Sequence, residues 1–493
     1  MLSYVKSSIY VNYDESLVEE LSQTVKDYTS FKVRQNFIDL EDHMLVPRGL
    51  RHRFSNQIDF DLTKSVHASY NFTATLRSNQ EPPLAKLLKS YRTKTDLILV
   101  AECGFGKTVS ACYTISKLQQ KTLILVPKVQ LADQFLDSIN TFLGEGVGII
   151  ASTKLLASKK NTINSIVEAY DIVVMTYDLF ESRFNPKDTW VNSFGLVVFD
   201  EMHRTGCETL LPSFFKLPMK YRLGLTATLR RSDGMEEQII KHFQDVIITE
   251  GRPESEKATL HTFTPKNKVV FAGKFSKDFV SQVENFNIPG IHTYKENIIY
   301  CSNDEESIRS ENDESLGTEE LLSLNKIFQK RLEYVHLETA MGSFEERNNE
   351  FLELIRKKHT EGRAILVLGK RIAQLEALFN QVSELDPILL TSKTYKKIKE
   401  SPRLQEQLEK EARIIFGIDT IASEGLDIPR LDTLIFLSVV GDPEQAGGRI
   451  LRKYSNKKEP EIWIPIGEND LHTGMYYKSL KYLPKVAKTG KYN

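Results

Sequence analysis

Two short stretches of this 493-residue sequence hold residue types at spacings suited to phosphate chemistry. The first is Ala101-Glu102-Cys103-Gly104-Phe105-Gly106-Lys107-Thr108. An apolar run at 97–100 precedes it and a helix-forming stretch at 109–118 follows, the strand–loop–helix setting of a phosphate-binding loop. Backbone N–H groups at a helix start attract anions, helped by the helix dipole. Gly104 and Gly106 let the chain curl closely around one. Lys107 is then expected to reach the β- and γ-phosphates of ATP, and the Thr108 hydroxyl to ligate Mg2+. Ala101 stands where the usual pattern has its first glycine. The second stretch is Leu196-Val197-Val198-Phe199-Asp200-Glu201-Met202-His203, an apolar strand ending in two carboxylates. Asp200 is expected to hold the metal through its water shell and Glu201 to polarise the attacking water, since hard oxygens suit magnesium and a carboxylate can accept a proton. An acidic turn after a strand is common by itself. It gains meaning from the phosphate loop upstream in the same unit.

Such residues need a rigid frame. Apolar runs at 97–101, 122–126, 172–175 and 196–199, spaced by helical segments, indicate a parallel sheet covered on both faces. A second series at 364–368, 388–390, 414–416, 433–437 and 462–465 indicates another. The expected fold is therefore α/β, with two tandem parallel-sheet units at 76–250 and 346–470. A small α+β accessory domain is expected at 1–75. There residues 8–13 alternate like a strand, and Asp14 is placed to cap a helix running to about residue 28, with Leu17, Leu21 and Val25 at helical spacing. Arg48, Arg51, His52 and Arg53 form a basic cluster, read either as an ordinary turn or as a duplex contact. Residues 251–345 read as a linker or insertion; within it 303–320 carries eight acidic residues and one basic, Arg309, as solvated loops do. The end, 471–493, reads as a basic aromatic tail. From 474 onward it holds five lysines, four tyrosines and no acidic residue. A packed helix with a solvated end is the plainer reading, and nucleic-acid contact the sharper one.

The bulk numbers set bounds. Sixty-five Lys and Arg against 66 Asp and Glu leave a net charge of −1, so any nucleic-acid groove must be local. Cys103, Cys112, Cys207 and Cys301 are scattered without a C-x-x-C pair, which argues against a zinc site or a disulfide framework. No apolar window approaches a membrane span and no secretory leader is visible, so a cytoplasmic place in a bacterial or phage-infected cell is expected.

The run Asp200–His203 resembles the DExH box of superfamily 2 helicases, and further motifs stand in that family's order. Arg222-Leu223-Gly224-Leu225-Thr226-Ala227-Thr228 resembles motif III, and its continuation Leu229-Arg230-Arg231-Ser232-Asp233-Gly234 is similar to segments of the XPB and restriction-motor branch. Residues 123–134, with Pro127, resemble motif Ia, and Val174-Met175-Thr176-Tyr177 the next nucleic-acid motif. Leu76-Arg77-Ser78-Asn79-Gln80 resembles the adenine-reading segment, with Gln80 on the base. Residues 365–370, ending at Lys370, resemble motif IV. Thr420-Ile421-Ala422-Ser423-Glu424-Gly425-Leu426-Asp427 resembles motif V, placing Gly425 and Asp427 at the nucleotide and Thr420 at nucleic acid. Gln445-Ala446-Gly447-Gly448-Arg449-Ile450-Leu451-Arg452 fits motif VI. Arginines three apart share a helix face, and their planar forks suit phosphate oxygens.

The resemblance implies two RecA-like domains hydrolysing ATP in the cleft between them, with Lys107, Asp200, Glu201, His203, Gln445, Arg449 and Arg452 in the chemistry. Thr176, Thr226, Ala227, Thr228 and Lys370 would couple it to a bound strand. It implies DNA as partner, single-stranded, forked or branched. Compact size and the N-terminal segment Met44-Leu45-Val46-Pro47-Arg48-Gly49-Leu50 are similar to phage UvsW-type branch-migration helicases. An RNA-remodelling ATPase, a restriction-system motor and a non-enzymatic adaptor are the competing classes.

Overall fold

Strands of Val, Leu, Ile and Phe with almost no polar residues must be buried on both faces, and parallel sheets are where that happens. The computed structural model describes residues 9–302, 334–418 and 428–488, apart from 28–29, 41–42, 55–64, 103, 158–161, 186–188, 232, 287–290 and 295–296. It divides into two units, Met1–Gly251 and Arg252–Asn493.

The first unit begins with β1 (Ile9–Asn12), β2 (Ser22–Asp27), β3 (Ser30–Gln35), β4 (Ile38–Asp39) and β5 (His43–Val46). The main sheet follows: β6 (Asp96–Val100), β7 (Thr122–Val126), β8 (Gly148–Ile150), β9 (Ile172–Thr176), β10 (Leu196–Phe199), β11 (Tyr221–Thr226) and β12 (Asp245–Ile248). Its order is β12-β6-β11-β10-β7-β9-β8, with every pairing parallel. Alternate side chains serve opposite faces. Ile98, Leu123, Leu125, Val197 and Phe199 enter one core, and Leu97, Leu99, Ile124, Val198 and Leu223 the other. Beyond the apolar runs the sheet gains β8, β11 and β12. Arg222 and Gly224 interrupt β11, and β12 opens on Asp245, so neither reads as a continuous apolar run.

The N-terminal segment departs from expectation in one element. Asp14 does cap a helix, accepting from the N–H groups of Ser16 (2.8 Å) and Leu17 (3.3 Å), but that helix is only Glu15–Glu20. The following residues, with β-branched Thr24 and Val25, pair antiparallel with β3 as a hairpin. Leu17 and Leu21 stay in the small core under the β1-β5-β4 sheet, whereas Val25 belongs to the core of the main sheet. The basic cluster is also otherwise engaged. Arg48, 2% exposed, binds Asp96 through Nε at 3.1 Å and the Met219 carbonyl through Nη1 at 2.7 Å. Arg51 binds Asp96 at 3.3 Å and Arg53 binds Glu20 at 2.8 Å. These ion pairs dock the segment and follow the ordinary-turn reading at Arg48, while Arg53 stays partly exposed.

Gly49 shows how close that docking is. A Cβ there would collide with the carbonyls of Lys241 and Phe243 and lie 2.6 Å from the Phe243 nitrogen. Backbone cannot swing aside as a side chain can. Gly49→Ala is expected to destabilise this unit by about 1–3 kcal/mol, the usual range for overpacking. Thermal unfolding and faster proteolysis of the N-terminal segment would record it.

The second unit comprises β13 (Thr259–Phe263), β14 (Lys268–Lys274), β15 (Ile291–Tyr294), β16 (Asn297–Ser302), β17 (Ile365–Gly369), β18 (Ile388–Leu390), β19 (Ile414–Ile418), β20 (Thr433–Phe436) and β21 (Glu461–Pro465). Its main sheet is parallel, in the order β13-β21-β20-β17-β19-β18. Two stretches outside the expected α/β boundaries take part. β13, from the region read as a linker, pairs with β21. Past residue 470, helices Asp470–Ser479 and Leu483–Val486 pack inward, burying Leu483, Val486 and Ala487 in the core. That is the packed-helix alternative for the tail. Residues 489–493 and the acidic stretch 303–320 lie outside the described residues.

Candidate nucleotide site and hydrolytic loop

In an open parallel sheet, ligands bind beyond the carboxyl ends of the strands. At that edge of the first unit, β6, β11 and β10 are neighbours, which brings three motifs together. The loop after β6 turns through Gly104 (φ 83°) and Gly106 (φ 95°), left-handed conformations that glycine adopts without a Cβ penalty. The helix Lys107–Leu118 starts directly after it. A Cβ on Gly106 would also lie 2.6 Å from Gln80 Nε2 and 2.7 Å from Arg77 Nη2. Those two side chains brace the loop from outside: Gln80 Nε2 donates to the Phe105 carbonyl at 2.8 Å, and Arg77 to the carbonyls of Gly104 (3.2 Å) and Phe105. Gln80, 2% exposed, also accepts from the Arg77 N–H at 2.9 Å. A cavity of about 430 Å3 opens beside this segment, lined by Ala74, Thr75, Leu76, Glu81, Ala85 and Tyr113. Ala101 is buried, and its N–H donates to the Thr226 carbonyl at 2.9 Å, joining the phosphate loop to β11.

Around Lys107 stand the two carboxylates. Its Nζ lies 3.4 Å from the Ala101 carbonyl and 3.8 Å from Glu201 Oε1. Glu201 holds φ at 47°, a conformation rare outside glycine and asparagine and typical of strained functional positions. Its Oε2 is buried without a hydrogen bond among the described residues, 3.4 Å from His203 Nδ1. His203 Nδ1 is also 3.0 Å from Thr226 Oγ1, and that hydroxyl donates to the Thr228 carbonyl. A chain of contacts thus runs from Lys107 through Glu201 and His203 to Thr226 and Thr228. Burial lowers the His203 pKa against the pull of Glu201, favouring the neutral ring. Asp200 is buried too; desolvation and the neighbouring Glu201 charge push its carboxyl up to about 7, although Lys107 pulls it down.

A buried carboxylate, Asp200, beside the half-buried Glu201 and facing Lys107 suits a divalent cation and a polyphosphate. The residues fit that group: Asp200 and Thr108 to hold Mg2+, the glycine turn and Lys107 to hold the phosphates. Met202 packs directly over Gly224 of β11, where any Cβ would strike its sulfur. Tyr177 donates its hydroxyl to the Asp200 carbonyl at 2.9 Å, so the segment after β9 also supports the acidic loop. Thr176 caps the helix Tyr177–Arg183, accepting from Leu179 N–H at 3.2 Å. Pro127 is half-buried just after β7, and Ala227 is buried after β11. Cys103 lies outside the described residues.

In the second unit, Lys370 follows β17 and spends its Nζ internally, on the Val439 carbonyl (2.7 Å), Glu338 (3.0 Å) and the Tyr334 hydroxyl. Burial alone would raise the Glu338 carboxyl, but His472 and Lys370 bring it down to about 2. Lys370 therefore anchors the chain leading into the helix Glu444–Ile450. That helix carries Gln445 and Arg449, but it ends at Ile450, so Arg452 falls beyond it and the shared helix face does not form. Lys457 Nζ secures the following turn through the carbonyls of Arg452 (2.7 Å) and Pro429 (2.8 Å). Gly447 lets the Leu483–Val486 helix approach: a Cβ would meet Val486 at 2.9 Å. Lys485 pairs with buried Glu444 at 2.5 Å. Of these supports, Lys457, Lys485 and Glu338 lie outside every motif read from the sequence. Thr420, Gly425 and Asp427 lie outside the described residues.

Known proteins resemble the chain over these motifs. Residues 73–231 match the family model of the type III restriction enzyme res subunit. A putative ATP-dependent RNA helicase, L396, of Acanthamoeba polyphaga mimivirus is 26% identical over 428 residues, 86% of this chain and 69% of that protein. The DNA 3'-5' translocase XPB2 of Sulfurisphaera tokodaii is 34% identical over 155 residues, 31% of each chain. Among solved structures, the helicase domain of Pyrococcus furiosus Hef aligns with a TM-score of 0.45 at 14% identity, covering 82% of this chain and 99% of that one.

Proposed function

We propose that this nucleic-acid-dependent ATPase is a motor of the superfamily 2 helicase type that remodels forked or branched DNA. The observation that carries the hydrolytic part is the cluster of Lys107, Asp200, Glu201 and His203 at the carboxyl edge of one sheet. Lys107 orients the β- and γ-phosphates. Glu201 aligns the attacking water and takes its proton through Oε2, which accepts no hydrogen bond among the described residues. His203 reports the state of that carboxylate to Thr226 and so to the chain beyond β11. Magnesium, held by Asp200 and Thr108, supplies charge neutralisation on the phosphates when bound. Within the second unit, Arg449 and Arg452 are the candidates for stabilising the charge developing in the transition state, and Gln445, Gly425 and Asp427 for nucleotide contact. Gln80, besides bracing the phosphate loop, selects adenine. Pro127, Thr176 and Thr420 contact the strand, mostly at its phosphates.

DNA is favoured by the stretch of 34% identity to a protein named a DNA translocase. An RNA partner is the second reading, favoured by the viral relative named a putative RNA helicase. Strand displacement separates finer possibilities. With ATP, the protein is expected to resolve a labelled four-way junction and a fork faster than a linear duplex with a single-stranded tail. Equal rates on all three would remove the branched-DNA reading, and activity on RNA duplexes alone would remove DNA.

A further inference from the structure

Arg34 lies on β3, in the hairpin outside the parallel sheet, yet its guanidinium ends at the acidic loop. Nη1 donates to the Gly206 carbonyl at 3.0 Å and to Asp233 Oδ2 at 3.2 Å. Asp233 is gripped from the other side by Arg231, whose Nε and Nη2 reach its two oxygens at 2.8 and 2.7 Å. Arg231 Nη1 in turn donates to the His203 carbonyl. The 3-10 turn Met202–Gly206, which begins directly after Glu201, is thus held by one guanidinium at His203 and another at Gly206, both joined through Asp233. There is little slack, since a Cβ on Gly206 would lie 2.9 Å from Arg231 Nε. Arg34 and Asp233 keep only 20% and 17% of their side-chain surface exposed, so this is not a loose surface pair.

The hairpin is anchored without Arg34. Buried Asn36 donates to the Gln238 carbonyl at 2.8 Å and meets His242 Nε2 at 2.6 Å, and Val25 sits in the core. Arg34 therefore extends from a fixed platform. A strained backbone such as that of Glu201 persists only where its surroundings over-determine it, and Arg34, Asp233 and Arg231 hold the turn that follows it.

We propose that Arg34 is a positioning residue for hydrolysis: it fixes the Met202–Gly206 turn, and through it Glu201 and His203, from the N-terminal hairpin. This rests on the reading of Glu201 as the group that aligns the attacking water. Displacements near 1 Å can cost about 10²-fold in rate, and a partial loosening here is expected to cost about tenfold.

The test is steady-state ATP hydrolysis by the full chain at saturating single-stranded DNA, and in parallel at saturating RNA, with kcat and KM for ATP separated. Arg34→Met should lower kcat about tenfold with KM within twofold of wild type, and Arg34→Lys should restore part of the loss. Asp233→Asn should behave like Arg34→Met, and the double variant should be no slower than the slower single one, as groups in one chain of contacts are non-additive. Arg53→Met, which removes another N-terminal ion pair, should match wild type. If Arg34→Met loses its cooperative thermal transition, Asp233→Asn carries the same comparison from the opposite side. Unchanged kcat in Arg34→Met, a loss confined to KM, or losses that multiply in the double variant would overturn the proposal alone. A wild type without hydrolysis would overturn the reading beneath it as well.

Discussion

Glu201→Gln is expected to lower ATP hydrolysis by about 10²–10⁴-fold, the usual contribution of a positioned general base, while nucleotide binding persists. The substitution keeps shape and removes the negative charge. Glu201 Oε1 faces Lys107 at 3.8 Å and Oε2 lies buried, 3.4 Å from His203, with no hydrogen bond among the described residues. An amide placed there can neither take the proton from water nor balance Lys107. The binding elements, the glycine turn and Lys107 itself, are untouched, so a fluorescent ATP analogue should still titrate. Phosphate release within a few-fold of wild type would show that another group acts on the water.

Asp96→Asn is expected to destabilise the first unit by about 3–5 kcal/mol, the cost of breaking a buried ion pair from one side. Asp96 opens β6, at the end of the strand opposite the phosphate loop, and is fully buried. Burial alone would raise its pKa, but Arg48, Arg222 and Arg51 outweigh it, and the carboxyl is held below its ordinary range. Because the folded pKa lies below the unfolded value, the cluster's contribution is complete above about pH 4. It is lost as pH falls through the folded pKa. Denaturant unfolding should therefore show a wide gap between wild type and Asp96→Asn at neutral pH, narrowing in acid. A gap that stays the same at every pH would mean the loss comes from packing and not from charge.

These two sites differ in how far a sequence discloses them. The proposed phosphate loop and the Asp200–His203 run are local: eight and four consecutive residues, each following an apolar strand, point to the chemistry wherever the strand is placed. Asp96 gives no such sign. Its partners Arg48 and Arg222 come from a turn before the sheet and from a strand far after it, and only the β6–β11 pairing brings them together. Arg34 and Asp233 are separated by nearly the whole first unit in the same way. Gly49 stands in sequence between Arg48 and Leu50, but the carbonyls that require it belong to residues 241 and 243. The short helix at Glu15–Glu20 and the early end of the Glu444–Ile450 helix share another cause. Spacing of apolar or basic residues reports periodicity, whereas hairpin pairing and tertiary packing decide where a helix stops.

The most direct measurement is phosphate release by the purified full chain with ATP and Mg2+, alone and with single-stranded, forked and four-way DNA and with RNA. Hydrolysis that is low alone and rises with DNA, most with the branched forms, is the expected result. No hydrolysis with any nucleic acid would contradict the central claim that the Lys107–Glu201–His203 cluster is a working ATPase site.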